Sequence, residues 1–414
     1  MKILVLSRLY WPDTVSVAQH LGDLTFALAE AGHEVSVLTS RYAYEDPGIS
    51  YPPHETQRGV AITRLRHPAV DKRSKLKRIL DFMVFNGLIL WRLLWMPRRR
   101  YDLLLGLTNP PLLSFIGVLM ARIKGMKFCY WTMDLQPELA IQAGYLKQGS
   151  FSERGLTWMG NYIFRHSDLI LTLDRFMAEH IVRRGGKRAH VAVLPPWPVV
   201  PERYTGSRLE NPFRQEHGFG NRIVVMYSGN HAVVHPLDTL LEAALALRGD
   251  PRFLFVFIGG GVRKQDVTDF KARHQLDTIL QLPYQPRERI HLSLGSADLQ
   301  VVILGDGHTG FTHPNKIYGA MYLGKPILYI GPSPSHVTEM LAECPGNLSV
   351  THGAPARLAE QLQAFAALAE ADREAAGEGN RRYALEHFDP ERLLAQHTAL
   401  FGTPQPARAA AAAV

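Results

Sequence analysis

At 414 residues, with 46% hydrophobic and 20% charged side chains, the chain exceeds one ordinary core, and two soluble domains are expected. Lysine and arginine outnumber acids 46 to 38, for a net charge of +8, and the excess is concentrated: nine basic residues and one acid, Asp81, fall between 72 and 100. Two cysteines, Cys129 and Cys344, exclude a disulfide framework or a cysteine metal site and suit a reducing compartment.

Residues 2–6 form a short apolar run, a first strand too brief for a signal-peptide core. After a loop at 9–16, Leu21, Leu24 and Leu28 repeat at helical spacing up to Gly32, and a strand at 35–39 follows. This βαβ unit predicts a doubly wound parallel sheet with right-handed crossovers. Residues 41–59 are polar and read as a loop, with a strand at 60–65.

The basic segment 71–100 encloses apolar residues at helical spacing, including Trp91 and Trp95. Eighteen residues from Ile79 to Met96 reach only the lower limit for a membrane span, and Asp81, Asn86 and Arg92 interrupt them. Two readings stand level. One is a helix lying in a membrane interface, with Lys72, Arg73, Lys75, Lys77, Arg78, Arg98, Arg99 and Arg100 toward anionic headgroups; the other is a buried domain helix with solvated basic ends.

A strand at 102–107, a Pro-initiated helix at 112–123 and a strand at 126–131 bring Asp134 to the C-terminal edge of the first sheet, where open α/β sheets bind ligands. A helix cap is the alternative role for Asp134. A helix at 151–165, a strand at 168–173, a helix at 175–184 and a strand at 190–194 precede a Pro-rich stretch that reads as an interdomain linker. The pattern then restarts: strand 222–227, helix 236–247, strand 252–258, three glycines at 259–261, a helix, strand 279–282 and helix 287–294.

Residues 296–332 organise the second half, as a strand, an eleven-residue Gly-rich loop at 305–315, a short helix and a second strand. Pro314 is expected to start that helix, leaving the amides of Asn315, Lys316 and Ile317 free to meet an anion beside the Lys316 ammonium, with a diphosphate the preferred guest. GDGHTG at 305–310 also fits a nicotinamide-dinucleotide fingerprint, but that motif asks for a helix starting inside it and an acid ending the next strand, and neither is present. His231, His235, His308 and His313 invite a metal reading, yet their spacings fit no standard ligand set. Helical material fills 355–401, and the Ala-rich end at 407–414 is expected to be disordered.

In order, GHEVSVLT (32–39), MDLQPE (133–138), YSGN (227–230), FVFIGGG (255–261), LPYQPRERI (282–290), SADLQVVIL (296–304) and PNKIYGAMYLGKPI (314–327) resemble the GT-B glycosyltransferases of family 4, especially bacterial members that build surface polysaccharides on lipid carriers. The resemblance implies two Rossmann-like doubly wound domains facing across a cleft. They would comprise residues 1–195 for the acceptor, a linker at 196–207, 208–385 for the donor, and a helix at 386–406 packing back on the first domain. It implies transfer of a hexose with retention from a nucleotide diphosphate sugar to a lipid-linked glycan or lipid, by a peripheral protein at the cytoplasmic membrane face, with no nucleic-acid partner.

On this resemblance Gly229, Asn230 and the adjoining His231 would meet the diphosphate with Lys316, beside Pro314 and Asn315. Tyr284 and Gln285 would lie along the base, Gly310, Phe311 and Thr312 would face the donor sugar, and Asp134 would face the acceptor. The chain has no D-x-D sequence, so no metal is expected. It departs from the family where the ribose-binding glutamate becomes Gly319, and Glu339 is then the candidate to reach the ribose. A catalytically inactive sugar-binding or nucleotide-binding relative is the alternative.

Overall fold

The computed structural model describes residues 1–402 except 14, 44–47, 69–74, 109 and 201, and leaves the side chains of 75–79 undescribed. The first sheet contains β1 (Lys2–Leu6), β2 (Glu34–Ser40), β3 (His54–Gln57), β4 (Val60–Leu65), β5 (Leu103–Leu107), β6 (Lys127–Trp131), β7 (Leu169–Thr172) and β8 (Val191–Val193). Between them run α1 (Ser16–Glu30), α2 (Lys75–Trp95), α3 (Pro111–Lys124), α4 (Glu138–Gln142), α5 (Phe151–His166) and α6 (Arg175–Arg183). Strand order is β3-β4-β2-β1-β5-β6-β7-β8, parallel except for β3, which pairs antiparallel with β4. This polar edge strand, HETQ, lies inside the stretch expected to be a loop, because its sequence carries no apolar alternation.

The second sheet joins β9 (Ile223–Ser228), β10 (Phe253–Ile258), β11 (Ile279–Leu282), β12 (Leu299–Ile303), β13 (Ile327–Ile330) and β14 (Leu348–Val350), all parallel, in the order β11-β10-β9-β12-β13-β14. Its helices are α7 (Pro212–Glu216), α8 (Asp238–Ala246), α9 (Lys264–His274), α10 (Ile290–Gly295), α11 (Lys316–Tyr322), α12 (His336–Ala342) and α13 (Pro355–Ala367). Strands such as β10, FLFVFI, are wholly buried because helices cover both faces. The chain ends in α14 (Glu370–His387), which packs on α11, and α15 (Pro390–Ala399), which packs on α1 of the first half. One apolar cluster runs through both halves, joining Trp131 and Leu173 to Leu304, Ile317 and Phe401.

In each sheet the order reverses once, between β1 and β5 and between β9 and β12. Loops leaving those strands in opposite directions open a crevice at their C-terminal ends, the expected seat of a ligand. Two parallel α/β sheets of this kind facing each other make the GT-B fold, as the resemblance implied.

α2 combines features of both readings of its sequence. Phe85, Ile89 and Leu93 are buried against the sheet, while Met83, Leu90, Trp91, Leu94 and Trp95 stand exposed. Asp81 and Asn86 lie on the inner face, where Asp81 pairs with Arg8 and His67. Among the described residues no helix is long and apolar enough to cross a membrane.

Candidate active site

The crevice of the second sheet is lined by three backbone segments whose conformations depend on glycine. Gly229 after β9 and Gly259 and Gly261 after β10 have φ of 133°, 126° and 129°. A Cβ on Gly259 would sit 2.2 Å from the Gly229 oxygen, and one on Gly261 would sit 2.4 Å from Asn230 Oδ1, so the two turns are packed backbone to backbone. Tyr284 closes this edge, its hydroxyl donating to Gly260 O at 3.3 Å, while Gln285 Nε2 donates to Pro283 O at 3.0 Å. The ring of Tyr284 is 45% exposed and lies beside Gly260, where a Cβ would sit 3.1 Å from its Cε2.

Lys316 begins α11 across from Gly229. Its Nζ lies 3.6 Å from the centre of the Tyr227 ring and would be 3.5 Å from a Cβ on Gly229. Although the residue is partly exposed along its stem, Nζ is buried and has no hydrogen-bond partner. Burial brings its pKa from 10.5 down to about 7. His231 and His235, both beside this ammonium, are held in the neutral form by burial and then by the Lys316 charge; His231 falls to about 4.

The turn after β9 and the loop leading to Lys316 hold further buried polar atoms without hydrogen-bond partners: His231 Nε2, His308 Nε2, Thr309 Oγ1, Thr312 Oγ1 and Asn315 Oδ1. Buried polar atoms are ordinarily paired, because each one left alone costs about 1–3 kcal/mol. With Lys316 Nζ, six in one loop-lined crevice is a set of donors and acceptors arranged for a polar guest.

Two expectations about this loop need correction. The amides of Asn315 and Ile317 are not free; they donate to His313 O at 3.0 Å and Pro314 O at 3.3 Å, because the chain turns tightly into a helix of only seven residues. The Lys316 ammonium and the loop side chains, not these two amides, are left to meet a guest. Phe311, expected to face a sugar, points into the core of the first domain beside His180, and its carbonyl accepts from Leu135 N at 2.8 Å. Gly310, with φ 87°, permits this approach, since a Cβ there would lie 3.0 Å from Phe176 O.

Asp134 stands at the end of β6, opposite the loop at 305–315. Burial raises its carboxyl to about 6, against the lowering effect of His313, whose charge and backbone amide both face it. Asp174, immediately before α6, accepts from Met177 N at 2.8 Å through Oδ1 and from His313 Nδ1 at 2.7 Å through Oδ2. His313 Nε2 meets the Tyr318 hydroxyl at 2.7 Å, and its ring stacks on His336 at 3.9 Å. Asp174, His313 and His336 converge closely enough to suggest a cation site. However, the rings lie within 16° of parallel, so one ion cannot occupy the plane of both, and both His313 nitrogens already have partners.

Glu339, the candidate for the ribose, instead forms an ion pair with Arg175 of the first domain, with Nε to Oε1 at 2.9 Å. Gly319 is covered by the linker, where a Cβ would lie 3.2 Å from Val200 Cγ2. Trp91, Trp95 and Arg98 are exposed, whereas the side chains of Lys75, Lys77 and Arg78, and all of Lys72 and Arg73, lie outside the described residues. In a cavity of about 440 Å³ lined by α4 to α6, Glu138 is already engaged, its Oε1 2.8 Å from both His180 Nε2 and Arg184 Nη1. Sequence reasoning missed Tyr227, Asp174 and His336; an aspartate directly preceding a helix was the one signal available for Asp174.

Residues 17–197 match the family described as glycosyl transferase 4-like domain. The chain is 24% identical over 310 residues to WbjE of Pseudomonas aeruginosa, described as a probable glycosyltransferase, covering 71% of this chain and 76% of that one. Over residues 17–197 the chain is therefore similar to this family of glycosyltransferases. A second relative, WcaI of Escherichia coli (strain K12), provisionally described as a colanic acid biosynthesis glycosyl transferase, is 24% identical over 343 residues, covering 78% of this chain and 82% of that one. The GT-B fold of this glycosyltransferase is matched by the crystal structure of Anabaena HepE in complex with UDP-glucose, with a TM-score of 0.70 and 15% identity over 98% of this chain and 100% of that one.

Proposed function

We propose that this glycosyltransferase moves a hexose, with retention and without a metal, from a nucleotide diphosphate sugar to a lipid-linked glycan or lipid presented at the cytoplasmic face of a membrane. The observation that carries the donor assignment is the set of six buried polar atoms without partners, Lys316 Nζ among them, on the segments that leave β9 and β12, where the order of the second sheet reverses. A diphosphate would supply acceptors to Lys316 and the loop hydroxyls, and a base would lie on Tyr284. The UDP-glucose complex of HepE supports the same donor class.

When the bond from sugar to diphosphate breaks, negative charge grows on the leaving oxygen. An ammonium held close by in a water-poor crevice favours that state more than the ground state, an effect of several kcal/mol in comparable sites. The absence of D-x-D in the sequence and the presence of Lys316 support charge neutralisation by side chains. Asp134, on the facing domain, would receive the acceptor. In this reading residues 1–195 carry the acceptor, 196–207 link, 208–385 hold the donor and 386–406 return to the first domain, which the packing of α15 on α1 supports. The exposed apolar side of α2 and the arginines 98–100 support peripheral attachment.

A screen of nucleotide sugars for thermal stabilisation and for hydrolysis or transfer tests the proposal. Stabilisation and turnover by one donor, both lost in Lys316→Ala, are expected. Turnover unchanged in that variant would remove Lys316 from the mechanism, and binding without turnover would establish the second reading, an inactive binder, which Gly319 in place of the family glutamate favours.

A further inference from the structure

The first sheet has two unlike sides. Right-handed crossovers put α2, α3 and α5 on one face, because their strands advance in one direction from β4 to β7, and α1 on the other, where the order runs back. α15 covers α1. The outer side of the α2, α3 and α5 layer carries exposed apolar groups on all three helices.

On α2, Trp91 is 61% and Trp95 73% exposed, with Met83, Leu90 and Leu94 beside them along the same side. α3 packs between α2 and α5, and Lys124 at its end donates to Leu94 O and Met96 O, both at 2.6 Å, fixing α2 to it. Leu112, Phe115 and Leu119, all half-buried, and the exposed Ile123 recur three or four apart along it. On α5, Phe151 is 91% and Trp158 59% exposed, and the Trp158 ring meets Phe115 at 5.4 Å. An apolar surface thus runs across three helices, far beyond the scattered apolar side chains of an ordinary exterior.

Its exposed charges are mostly basic. Arg92, Arg98, Arg99 and Arg100 surround the end of α2, Arg122 the end of α3, and Arg154 is on α5; all are exposed. The acids nearby are occupied, Asp81 buried with Arg8 and His67, and Glu153 accepting from the Thr157 hydroxyl at 2.8 Å.

Resting on the membrane attachment proposed above, we infer that the whole face formed by α2, α3 and α5 seats on an anionic bilayer, with Phe151 and Trp158 as a second anchor beside α2. Aromatic side chains favour the interfacial zone, and a basic rim is drawn to anionic headgroups. Two anchors on separate helices fix the orientation of the domain, which one helix could only tether.

Flotation of the full chain with vesicles of phosphatidylglycerol and phosphatidylcholine, against phosphatidylcholine alone, tests this. Phe151→Ser is the cleanest probe, because that ring is almost wholly exposed and its loss leaves the fold intact; Phe151→Ser with Trp158→Ser is the stronger one. Leu94→Ser with Trp95→Ser reports on α2 alone. Loss of at least fivefold in the vesicle-bound fraction is expected for the α5 pair and for the α2 pair, with a smaller loss for Phe151→Ser, and no flotation without the anionic lipid. If the α2 pair is released while both α5 variants float like the parent, the second anchor is wrong and the membrane reading stands. If the parent floats and no variant changes it, the face of α2, α3 and α5 is not the seat and the inference fails; if the parent does not float, the membrane reading itself fails. A dimer in solution that either pair dissociates would show that the face binds a second copy and overturn the inference.

Discussion

Asp174 Oδ2 and His313 Nδ1 stand 2.7 Å apart, joining the helix start of one domain to the donor loop of the other. The same carboxylate caps α6 through Oδ1, so one buried side chain fixes a local element and a long-range contact together. Burial alone would raise its pKa, but the hydrogen bond and charge of His313, then His336, hold it at about 2. A depressed carboxyl stabilises the fold fully above its ordinary value near 4, and that contribution disappears as pH falls through about 2.

Asp174→Asn should keep the cap and lose the charge-assisted bond, at a cost of about 1.5–3 kcal/mol. Asp174→Ala should lose the cap as well, for about 1 kcal/mol more. Thermal melts from pH 7 to 2 check both: the gap to wild type should be constant above pH 4, and near pH 2 it should close for Asp174→Asn and narrow to the cap's share for Asp174→Ala. A gap independent of pH would mean that the carboxylate charge contributes nothing.

Lys316 and Tyr227 give a second pH signature. With its pKa near 7, the free ammonium is progressively lost at higher pH, whereas a bound diphosphate would keep it protonated. Because the diester of a nucleotide sugar does not itself titrate in this range, donor affinity should fall as pH rises above 7, and binding should take up a proton. The sign for the free protein is opposite: from pH 7 to 10.5 the unfolded chain holds more protons, so unliganded stability should rise. Calorimetry in buffers of different ionisation enthalpy measures the uptake. Tyr227→Phe keeps the ring under Nζ and should stay within about threefold of wild-type affinity, while Tyr227→Leu should lose about tenfold, the scale of a desolvated cation–π contact.

Much of the site's frame could be read from sequence because it is written in short local patterns. Strands buried on both faces appear as unbroken apolar runs such as FLFVFI, and the delay imposed by Pro314 marks the loop at 305–315 as unusual. What pairs across the cleft could not be read. Asp174 and His313 are 139 residues apart, and no periodicity relates them. Phe311 in a Gly-rich loop looks like a sugar platform until the facing domain supplies a core for it. Tyr227 looks like one more strand residue, since its role depends on where a lysine 89 positions later is placed, about one sheet strand away. α2 is ambiguous for another reason: it is apolar on two sides, and periodicity cannot say which one meets the sheet.

Asp134, raised to about 6 by burial, is the group whose titration should appear in the turnover rate. If its carboxylate assists the acceptor hydroxyl, the rate falls tenfold per pH unit below 6, and Asp134→Asn lowers kcat by about 10²–10⁴ with donor affinity retained. The variant should also lose the acidic limb of the pH profile. A profile unchanged in the variant would reduce Asp134 to a structural contact with the loop at 313.

Gly310 tests whether the donor loop must stay seated on the first domain. Its φ of 87° already disfavours a side chain by about 1–2 kcal/mol. A methyl would in addition lie 3.0 Å from Phe176 O and push the loop out of contact. Gly307, with φ 75° and only Gln142 Nε2 at 3.6 Å, carries the backbone strain without the close approach. Gly307→Ala should therefore lower stability and leave the domains joined. Gly310→Ala should lower it further and increase the radius of gyration in solution scattering as Phe311 leaves its pocket. If the two variants match in both stability and size, the closed arrangement does not depend on this contact, and the link from Asp174 to His313 must hold the domains without it.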